Sequence, residues 1–241
     1  MLLCTTEGDP EREEQYLNLL RAKRVDGALV DGLLLPPDRI ARFVRDGFPI
    51  VCLDRDIDSA SIPVVQVDNR LGGLLATNHL ISLGHRAIAH VAGASALGIS
   101  TERLAGYRDA LSGSGITPDP RLVEHGQFSE EGGYEATARL IERAVPFTAV
   151  FAGNDLSAIG AMAALEEHGL RVPSQVSVVG FDDLRLAGFV RPPLTTIRQP
   201  APEIARLATQ ILMDLTHGRT VETMRHLLPP ELVVRASTAA P

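Results

Sequence analysis

The sequence predicts an α/β protein of two doubly wound lobes, each a mostly parallel sheet with helices on both faces. Three observations predict this fold. Short apolar, β-branched runs alternate along the chain with longer amphipathic segments. Most of these runs lack polar alternation, which is typical of strands buried on both faces of a parallel sheet. The 241 residues also carry more such runs than one sheet of that length usually holds, which favours two sheets.

Each element has its own signal, taken in chain order. The predicted strands are the short apolar runs at Ala28–Val30, Ile50–Leu53, Val64–Val67, Ile88–Ala92, Val123–His125, Ala149–Ala152 and Val176–Phe181. The predicted helices are the amphipathic segments at about Pro10–Lys23, Asp38–Asp46, Leu71–Leu83, Thr101–Ser112, Glu131–Ala144 and Asp155–His168. Pro10 suits a first helical turn, and Gly84 and Gly169 suit helix C-caps.

The end of the chain predicts that it crosses between the lobes more than once. A strand-like run at Thr195–Ile197 leads directly to a helix at Pro202–Leu215, and Glu231–Arg235 is strand-like again. We place the N-terminal lobe at residues 1–86 with a return segment at about 198–222. The C-terminal lobe then comprises residues 87–197 with a terminal segment at about 223–241, because a new strand starts just after Gly84-His85.

Composition excludes several classes of protein. A hydrophobic content of 45% can build a sizeable core, which excludes a disordered chain. The net charge of −7 and the lack of a dense Lys/Arg run argue against direct binding of nucleic acid or an anionic membrane by this segment. No stretch approaches the roughly 18 apolar residues of a membrane helix, and the acidic start lacks a signal-peptide pattern. We therefore expect a cytoplasmic protein.

Neither a metal nor a cofactor is expected. Cys4 and Cys52 lie in strand-like apolar runs without CxxC or HExxH spacing, so both are predicted to be reduced thiols of the core. No Gly-rich phosphate loop follows a predicted strand, which argues against binding of a nucleotide phosphate.

Polar side chains follow four of the predicted strands at the point where each strand ends. They are Asp54, Asp68 with Asn69, Asn154 with Asp155, and Asp182 with Asp183. Ligands of open parallel sheets bind beyond the carboxyl ends of the strands, and carboxylates and amides suit a polyol or another polar small molecule. Alternatively such residues cap the next helix, which we prefer for Asp68 and Asn69. For Asn154 and Asp155 both alternatives stay open.

Arg103 occupies an unusual position for a cation. Ser100 or Thr101 is predicted to cap a helix whose first turn contains Arg103, where the helix dipole disfavours positive charge. The guanidinium is either solvated or forks onto ligand hydroxyls and a facing carboxylate such as Asp182. Because Asp182 and Asp183 repel each other, at least one of them is predicted to face a hydrogen-bond donor.

Several segments resemble the lactose/galactose repressor (LacI/GalR) family of bacterial transcription regulators. The most specific is VVGFDDLRLAGFVRPPLTTIRQP at residues 178–200. Others are FAGNDLSAIGAMAALEEHGLRVPSQVSVVGFDD, HRAIAHVAG followed by ERLAGYRDAL, VDGALV, PIVCLDRD and VQVDNRLGGLLATNHLISLGHR. The resemblance covers nearly the whole chain. It implies a periplasmic-binding-protein-like type I sensor domain whose two Rossmann-like lobes enclose an effector in the cleft between them.

The resemblance also assigns effector contacts, one residue at a time. Arg103 would make a bidentate contact to vicinal hydroxyls or a carboxylate of the effector. Asn154 and Asp182 would hydrogen-bond it from the C-terminal lobe, and Asp54 would face them from the N-terminal lobe. Phe128 would lie against the apolar face of a sugar, although a place in the core explains this ring equally well.

Two further roles concern the helix that begins near Asp155. Ile159 and Met162 resemble subunit-interface positions of the family, so a homodimer is expected, but core burial also explains both side chains. Asn154 is predicted to contact the ligand, whereas Asp155 is predicted to cap or brace the helix.

The start of the chain departs from the family pattern. Family members begin with a helix-turn-helix headpiece of roughly sixty residues, followed by the first strand and helix of the sensor. Here the chain opens at what resembles the second strand, Leu2–Thr5. Because the first strand is central in its sheet, Leu2–Thr5 and Ala28–Val30 are each predicted to lack one hydrogen-bonded neighbour, a gap that a partner chain could fill.

The sequence therefore predicts the ligand-sensing and dimerisation domain of a regulator that contacts operator DNA through an upstream headpiece. An effector that favours the closed lobes would need to couple to DNA binding by about 1–3 kcal/mol. The alternative is the sugar-binding protein of an ABC uptake system, which the PPLTTIRQP segment disfavours. An enzyme using Asp54, Asp182 and Asp183 as acid and base is not predicted, because a nucleophile elbow, metal spacing and cofactor loop are all missing from the sequence.

Overall fold

The computed structural model describes residues 2–6, 9–23, 25–31, 36–54, 62–95 and 97–241. In chain order the elements are α1 (Pro10–Ala22), β1 (Ala28–Asp31), α2 (Pro37–Arg45), β2 (Ile50–Leu53), β3 (Val64–Val67), α3 (Asn69–Ser82), β4 (Ile88–Ala92), α4 (Gly98–Gly113), β5 (Val123–His125), α5 (Glu130–Glu142), β6 (Ala149–Ala152), α6 (Asp155–Glu167), β7 (Ser177–Asp182), β8 (Thr195–Arg198), α7 (Ala201–Thr216), β9 (Arg225–Leu228) and β10 (Glu231–Val233). Short 3-10 helices lie at Pro120–Leu122 and Arg185–Gly188.

The chain divides into two compact units, and it passes between them more than once, as expected. The N-terminal unit comprises Met1–Val67 and Pro200–Leu228, and the C-terminal unit comprises Asp68–Gln199 and Pro229–Pro241. The first division thus follows Val67 and not residue 86 as predicted. The reason is that α3 packs along α4, so the helix that precedes Gly84 belongs with the strand that follows it.

The N-terminal unit contains a parallel sheet with the order β1-β2-β3-β9 among the described residues. Apolar side chains of the strands, of α1 and α2 and of the segment before β3 form its core, including the fully buried Ile40, Ile50 and Ile62. Strand β9 was not predicted, because Arg225–Leu228 has no uniform apolar run. Conversely, Leu2–Thr5 forms no strand in the described chain.

The predicted loss of a neighbour at β1 is seen in the sheet order. Strand β1 is the edge strand of the described sheet and pairs with β2. Residues 2–6 lie outside the sheet, which is why the predicted strand at Leu2–Thr5 is wrong: a strand needs a ladder partner. Cys4 is consequently exposed, contrary to its predicted place in the core, whereas Cys52 is buried as expected.

The C-terminal unit contains a sheet with the strand order β10-β8-β7-β6-β4-β5. Strand β10 runs antiparallel to β8, and the other neighbours are parallel. Strands β4 and β6 are fully buried along their length, as their apolar runs predicted. The strands β2 to β6 have the predicted bounds, so the doubly wound prediction is confirmed for this part of the chain.

Reciprocal glycines bring the helices of the C-terminal unit into backbone contact. A Cβ atom on Gly73 of α3 would overlap the carbonyl oxygen of Arg103, and one on Gly106 of α4 would overlap that of Arg70. The pair α5 and α6 repeats this arrangement, because Gly133 and Gly160 each lie against the backbone of the opposite helix. These helices approach more closely than any larger side chain would allow.

Hydrogen bonds attach residues 237–239 to the C-terminal unit. Ser237 is fully buried, and its Oγ donates to the carbonyl of Val178 (2.6 Å) and accepts from the amide of Thr195 (2.8 Å). The amide of Val178 in turn donates to the carbonyl of Ser237 at 2.8 Å. His85 lies 2.9 Å from the carbonyl oxygen of Ala239 through its Nε2 atom. The segment at 237–239 is therefore anchored to this unit by hydrogen bonds, and Ser237 lies in its interior.

Candidate functional site

Arg103 is one of the few buried cations of the described chain. Helix α4 begins at Gly98, with Leu97 as an N-cap that makes no side-chain hydrogen bond, so neither Ser100 nor Thr101 is the cap. This corrects the predicted start and places Arg103 in the second turn, beyond the strongest influence of the helix dipole. Arg103 is 3% exposed, which contradicts the alternative of a solvated side chain.

The guanidinium of Arg103 is held in one orientation by groups from three other elements. Its Nε donates to Oδ1 of Asn69 at 2.8 Å, and its Nη1 donates to the carbonyl of Gly153 at 2.6 Å. Nη1 also lies 3.7 Å from Oδ1 of Asp182. The Cζ atom lies 3.6 Å from the ring centroid of Phe181, a cation–π contact. A buried, planar fork held in this way is preorganised for a charge-assisted contact.

Phe128 lies next to this guanidinium in a strained turn after β5. Gln127 and Phe128 have φ of +54° and +59°, a conformation that few non-glycine residues adopt. The ring occupies space that a Cβ on Gly93 would fill, and the Cζ of Arg103 lies 5.5 Å from its centroid. Phe128 is half-buried and lies outside the apolar cluster of this unit, so its placement favours the predicted site over the core.

The structure shows which of Asn154 and Asp155 caps helix α6, whereas contact of Asn154 with a ligand stays a prediction. Asn154 is the N-cap of α6, since its Oδ1 accepts from the amide of Ser157 at 2.9 Å, and its Nδ2 donates to the carbonyl of Phe128 at 2.9 Å. Asp155 instead braces the helix: its Oδ2 accepts from the amide of Leu184 (2.7 Å) and its Oδ1 from Thr196 (2.5 Å). Asn154 thus caps and lies beside the site at once.

Asp182 and Asp183 both have positive φ, at +117° and +58°, and they face different partners. Asp182 accepts from Nε2 of Gln199 at 2.7 Å, and burial raises the pKa of its carboxyl despite the nearby Arg103. Burial alone would raise the pKa of Asp183. Hydrogen bonds from Arg235 (2.5 Å) and Arg198 (2.7 Å) outweigh this effect, so the pKa of Asp183 is lowered. The prediction that one of this pair faces a donor is confirmed.

Asp54 belongs to the N-terminal unit, whereas Arg103, Phe128, Asn154 and Asp182 belong to the C-terminal unit. Asp54 directly follows β2 with a φ of +49°, and its amide donates to the carbonyl of Val65 at 3.4 Å. Its place at a strand end matches the predicted pattern, and its role toward an effector stays a prediction.

Sequence reasoning missed the residues that hold Arg103 in place. Asn69 is the first residue of α3, and Asp68 is the true cap, since its Oδ1 accepts from the amide of Leu71 at 2.9 Å. Phe181 stood within a predicted buried strand, and nothing in its pattern indicated a cation partner. Asn69 is among the predicted strand-end side chains, but the preference for a cap role was wrong for it: it is the first residue inside α3, and its Oδ1 accepts from Arg103.

Ile159 and Met162 lie beside a surface depression of about 640 Å³ in the C-terminal unit. Val190 and Pro192 line it from the segment after β7. Met162 packs into the apolar core, which confirms the core alternative for it, and its place at a subunit interface stays a prediction. Exposed apolar side chains follow the same strand, namely Leu184 (38%), Leu186 (47%) and Phe189 (63%).

Two buried titratable groups of this unit have pKa values far from their usual range. His90 lies between the rings of Tyr107 and Phe151, with centroids 5.1 and 4.6 Å away. Its Nδ1 lies 2.8 Å from the carbonyl of Phe151, which requires a proton on Nδ1, and burial lowers the pKa of the imidazole to about 4. Burial raises the pKa of Asp155 to about 7.

These two groups are expected to oppose each other in the pH dependence of stability. A depressed histidine pKa stabilises the fold above about pH 6.5 and loses that contribution as the pH falls toward 4. A raised carboxyl pKa stabilises the fold at low pH and loses its contribution as the pH rises through 7.

We expect His90→Phe to reduce the loss of unfolding free energy between pH 6.5 and 4 by about 2–3 kcal/mol relative to wild type. Asp155→Asn should make the loss of unfolding free energy between pH 6.5 and 4 steeper than in wild type. Urea melts at several pH values measure both effects. Parallel pH profiles for wild type and the two variants would contradict the roles given to His90 and Asp155.

Comparison with known proteins decides what this site belongs to. Residues 77–238 match the model of the periplasmic binding protein-like domain family. The transcriptional repressor CytR of Escherichia coli is 36% identical over 230 residues, which cover 95% of this chain and 67% of CytR. The regulator DegA of Bacillus subtilis is 34% identical over 99% of this chain and 72% of DegA. The chain belongs to the LacI family of transcription regulators. The prediction from the sequence is confirmed, and because these relatives are regulators, so is the prediction that the chain is not an enzyme.

Solved LacI-family structures share the fold. A sugar-binding transcriptional regulator of the LacI family from Escherichia coli, complexed with phosphate, has a TM-score of 0.88 at 34% identity and covers 100% of this chain and 86% of its own. A LacI-family regulator from Enterococcus faecium with bound ribose has a TM-score of 0.88 at 32% identity, covering 100% and 87%. None of the described helices of the present chain is long and apolar enough to cross a membrane.

Proposed function

We propose that this LacI-family chain senses a small polar effector, a sugar or sugar derivative, through Arg103, Phe128, Asn154 and Asp182. The observation that carries the proposal is the buried guanidinium of Arg103, held by Asn69 and stacked on Phe181 beside Asp182. Burying a charge is costly unless it is well paired, so a buried arginine at the carboxyl ends of strands implies a ligand-binding role. The relative with bound ribose supports a sugar.

The four side chains offer chemistry that complements a polyol. Asp182 accepts hydroxyl hydrogens, and the second amide hydrogen of Asn154 is available after the first has been donated to Phe128. The half-buried ring of Phe128 suits the C–H face of a sugar. Asp54, from the N-terminal unit, stays a predicted further contact.

A calorimetric screen tests the proposal. Titration of the purified protein with ribose, cellobiose, sugar acids and nucleobases should show saturable binding for a member of one sugar class. Saturable binding of a nucleobase alone would replace the sugar with a different effector class. A folded protein that binds none of these compounds would contradict the proposal.

We further propose that the chain forms a homodimer through the exposed apolar side chains after β7 and the depression beside α6. Phe189 is 63% exposed and Ile159 lines the depression, and such an apolar surface is typical of an interface.

We expect Phe189→Asp to raise the dimer dissociation constant at least tenfold, because an aromatic side chain buried at an interface commonly contributes about 2 kcal/mol to binding. Light scattering across a dilution series measures it.

Val234→Asp is the matched control for this surface. Val234 is 59% exposed, follows β10 and does not line the depression, so its substitution should leave the dimer unchanged. A wild-type protein that is monomeric at high micromolar concentration would exclude the interface. A Phe189→Asp variant that dimerises like wild type would place the interface elsewhere.

The regulatory role follows from these two proposals together. Effector binding in a cytoplasmic dimer would bias one arrangement of the dimer, and operator DNA would be contacted by a headpiece outside residues 1–241. The effector can shift that equilibrium only by its preference for one arrangement. The uptake-protein alternative is not favoured, because the matched relatives are transcription regulators.

A further inference from the structure

The turn at the end of β7 contains two successive residues in a disfavoured backbone conformation. Asp182 and Asp183 have φ of +117° and +58°, and both carry a side chain that makes positive φ costly. Such a turn keeps its shape only if the surrounding structure fixes it. Because Asp182 is a residue of the proposed effector site, the contacts that fix the turn also decide where its carboxylate points.

The two carboxylate oxygens of Asp182 differ in their surroundings. Oδ1 accepts from Nε2 of Gln199 at 2.7 Å and lies 3.7 Å from Nη1 of Arg103. Oδ2 makes no hydrogen bond to any residue that the structure describes, and the side chain is 22% exposed. Oδ2 is therefore the atom of this side chain that can accept a hydroxyl hydrogen of an effector.

Asp183 directs both of its oxygens to arginines from other parts of the C-terminal unit. Oδ2 accepts from Nε of Arg198 in β8 at 2.7 Å, and Oδ1 accepts from Nη2 of Arg235, after β10, at 2.5 Å. Arg235 is itself fixed, because its Nη1 donates to the carbonyl of Leu194 at 2.7 Å. Charge-assisted hydrogen bonds of this kind are about twice as strong as neutral ones. They attach Asp183 firmly to the neighbouring strands.

This attachment lies directly beside the effector-site carboxylate. In the ladder between β7 and β8, Asp182 is the register partner of Arg198. On the other side of Asp183, the amide of Leu184 donates to Oδ2 of Asp155 at 2.7 Å. The backbone from 182 to 184 is thus attached to β8, to the segment after β10 and to α6, and Asp183 supplies two of the charged contacts.

We propose that Asp183 is a positioning residue of the effector site, which holds the turn so that Oδ2 of Asp182 faces the effector. It does so through its hydrogen bonds with Arg198 and Arg235. The inference rests on the proposed function in one respect, namely that Asp182 contacts the effector. Asp183 itself makes no such contact, because the arginines occupy both of its oxygens.

Glu124 provides a matched control, because it is also a carboxylate bound by two arginines. It accepts from Nε of Arg139 at 2.9 Å and from Arg143, and its side chain is 11% exposed, as is that of Asp183. Two strands separate β5, which carries Glu124, from β7 in the sheet. Glu124→Gln therefore breaks an equivalent ion pair at a distance from the turn.

A titration of Asp182 tests the positioning without any sugar. ¹³C NMR follows its side-chain carboxyl, whose resonance is identified by its loss in Asp182→Asn. Burial raises the pKa of this carboxyl in wild type. We expect Asp183→Asn and Arg235→Met each to lower that pKa toward the ordinary aspartate value, because release of the turn exposes Asp182 to water. Glu124→Gln should leave it unchanged.

The two variants separate release of the turn from a direct effect of charge. Loss of the negative charge at 183 lowers a neighbouring carboxyl pKa through space, whereas loss of the positive charge at 235 raises it. Asparagine adopts positive φ as readily as aspartate, so Asp183→Asn adds no backbone strain. Urea melts confirm that each variant is folded. Any result other than a fall of the Asp182 pKa in both variants would overturn the proposal.

A double-mutant cycle tests the consequence for the effector. The probe is the sugar that binds wild type in the calorimetric screen, with ribose and cellobiose first. We expect Asp183→Asn to weaken binding at least about tenfold in wild type and less than about twofold in Asp182→Asn, because Asp183 acts through Asp182. Equal losses in the two backgrounds would overturn the proposal. If no sugar binds wild type, the proposed function fails, and the titration of Asp182 still decides whether Asp183 positions it.

Discussion

Arg103→Lys is expected to lower the affinity for the bound sugar at least hundredfold. A lysine ammonium cannot donate to Asn69 and Gly153 in the fork geometry and still face the ligand, and it loses the stacking on Phe181. A hydrogen bond to a charged group is worth about 1.5–3 kcal/mol. Loss of the two hydrogen bonds of a bidentate contact with the sugar therefore costs about 3 kcal/mol or more of binding free energy. Calorimetry with the sugar that binds wild type measures the change.

Arg121→Lys provides the matched control for this loss. Arg121 pairs with Asp119 on the surface, and its side chain is 69% exposed, so its substitution should leave the affinity within error. The Arg103 variant must also remain folded, which a urea melt monitors. A folded Arg103→Lys protein with wild-type affinity would remove this arginine from the site, and the proposed effector chemistry would lose its main support.

Gly73→Val is expected to lower the free energy of unfolding by about 3 kcal/mol, and to fail to fold if the helices cannot separate. The new Cβ would overlap the backbone carbonyl of Arg103, which cannot rotate away as a side chain could. Helix α4 would have to move away from α3, and the guanidinium of Arg103 would move with it. Thermal and urea melts measure the stability, and a fourfold or greater loss of sugar affinity should accompany the displacement.

Gly98→Ala, at the first residue of the neighbouring helix α4, is the control for the loss of a helical glycine. A Cβ at Gly98 would have no atom within 4 Å, and its φ is not in the left-handed region. Alanine there should stabilise the protein by about 0.5–1 kcal/mol, because glycine costs conformational entropy within a helix. If Gly73→Val were as stable as Gly98→Ala, α3 and α4 would not be in close contact.

The sequence predicted the central strands well and the periphery poorly, for one physical reason. Strands β4 and β6 are buried along their whole length, and full burial requires the nearly continuous apolar runs by which they were predicted. Strand β9 alternates between exposed and half-buried residues at the sheet edge, and its pattern carries little signal. The boundary between the lobes was predicted near Gly84, but the units divide after Val67. Close packing at glycines joins α3 to α4 and so places α3 in the C-terminal unit, and no break in the sequence pattern marks this.

The same distinction holds for the candidate site. Polarity at the strand ends pointed to Asn154 and Asp182, and the structure places both near Arg103. The groups that hold Arg103 in place come from distant parts of the chain, and no local pattern could reveal them. Asn69 is separated from Arg103 by 34 positions. Which of two adjacent polar residues caps a helix also depends on the neighbours of each side chain, as Asn154 and Asp155 show.

The buried Ser237 has a consequence for how the protein is made. Its hydroxyl and carbonyl complete hydrogen bonds to Val178 and Thr195, so the sheet that contains these strands cannot mature while residues 236–239 are still inside the ribosome. The C-terminal unit must therefore finish folding after synthesis has reached those residues. A variant of residues 1–235 should expose the newly made sheet to cellular proteases and leave little protein to accumulate.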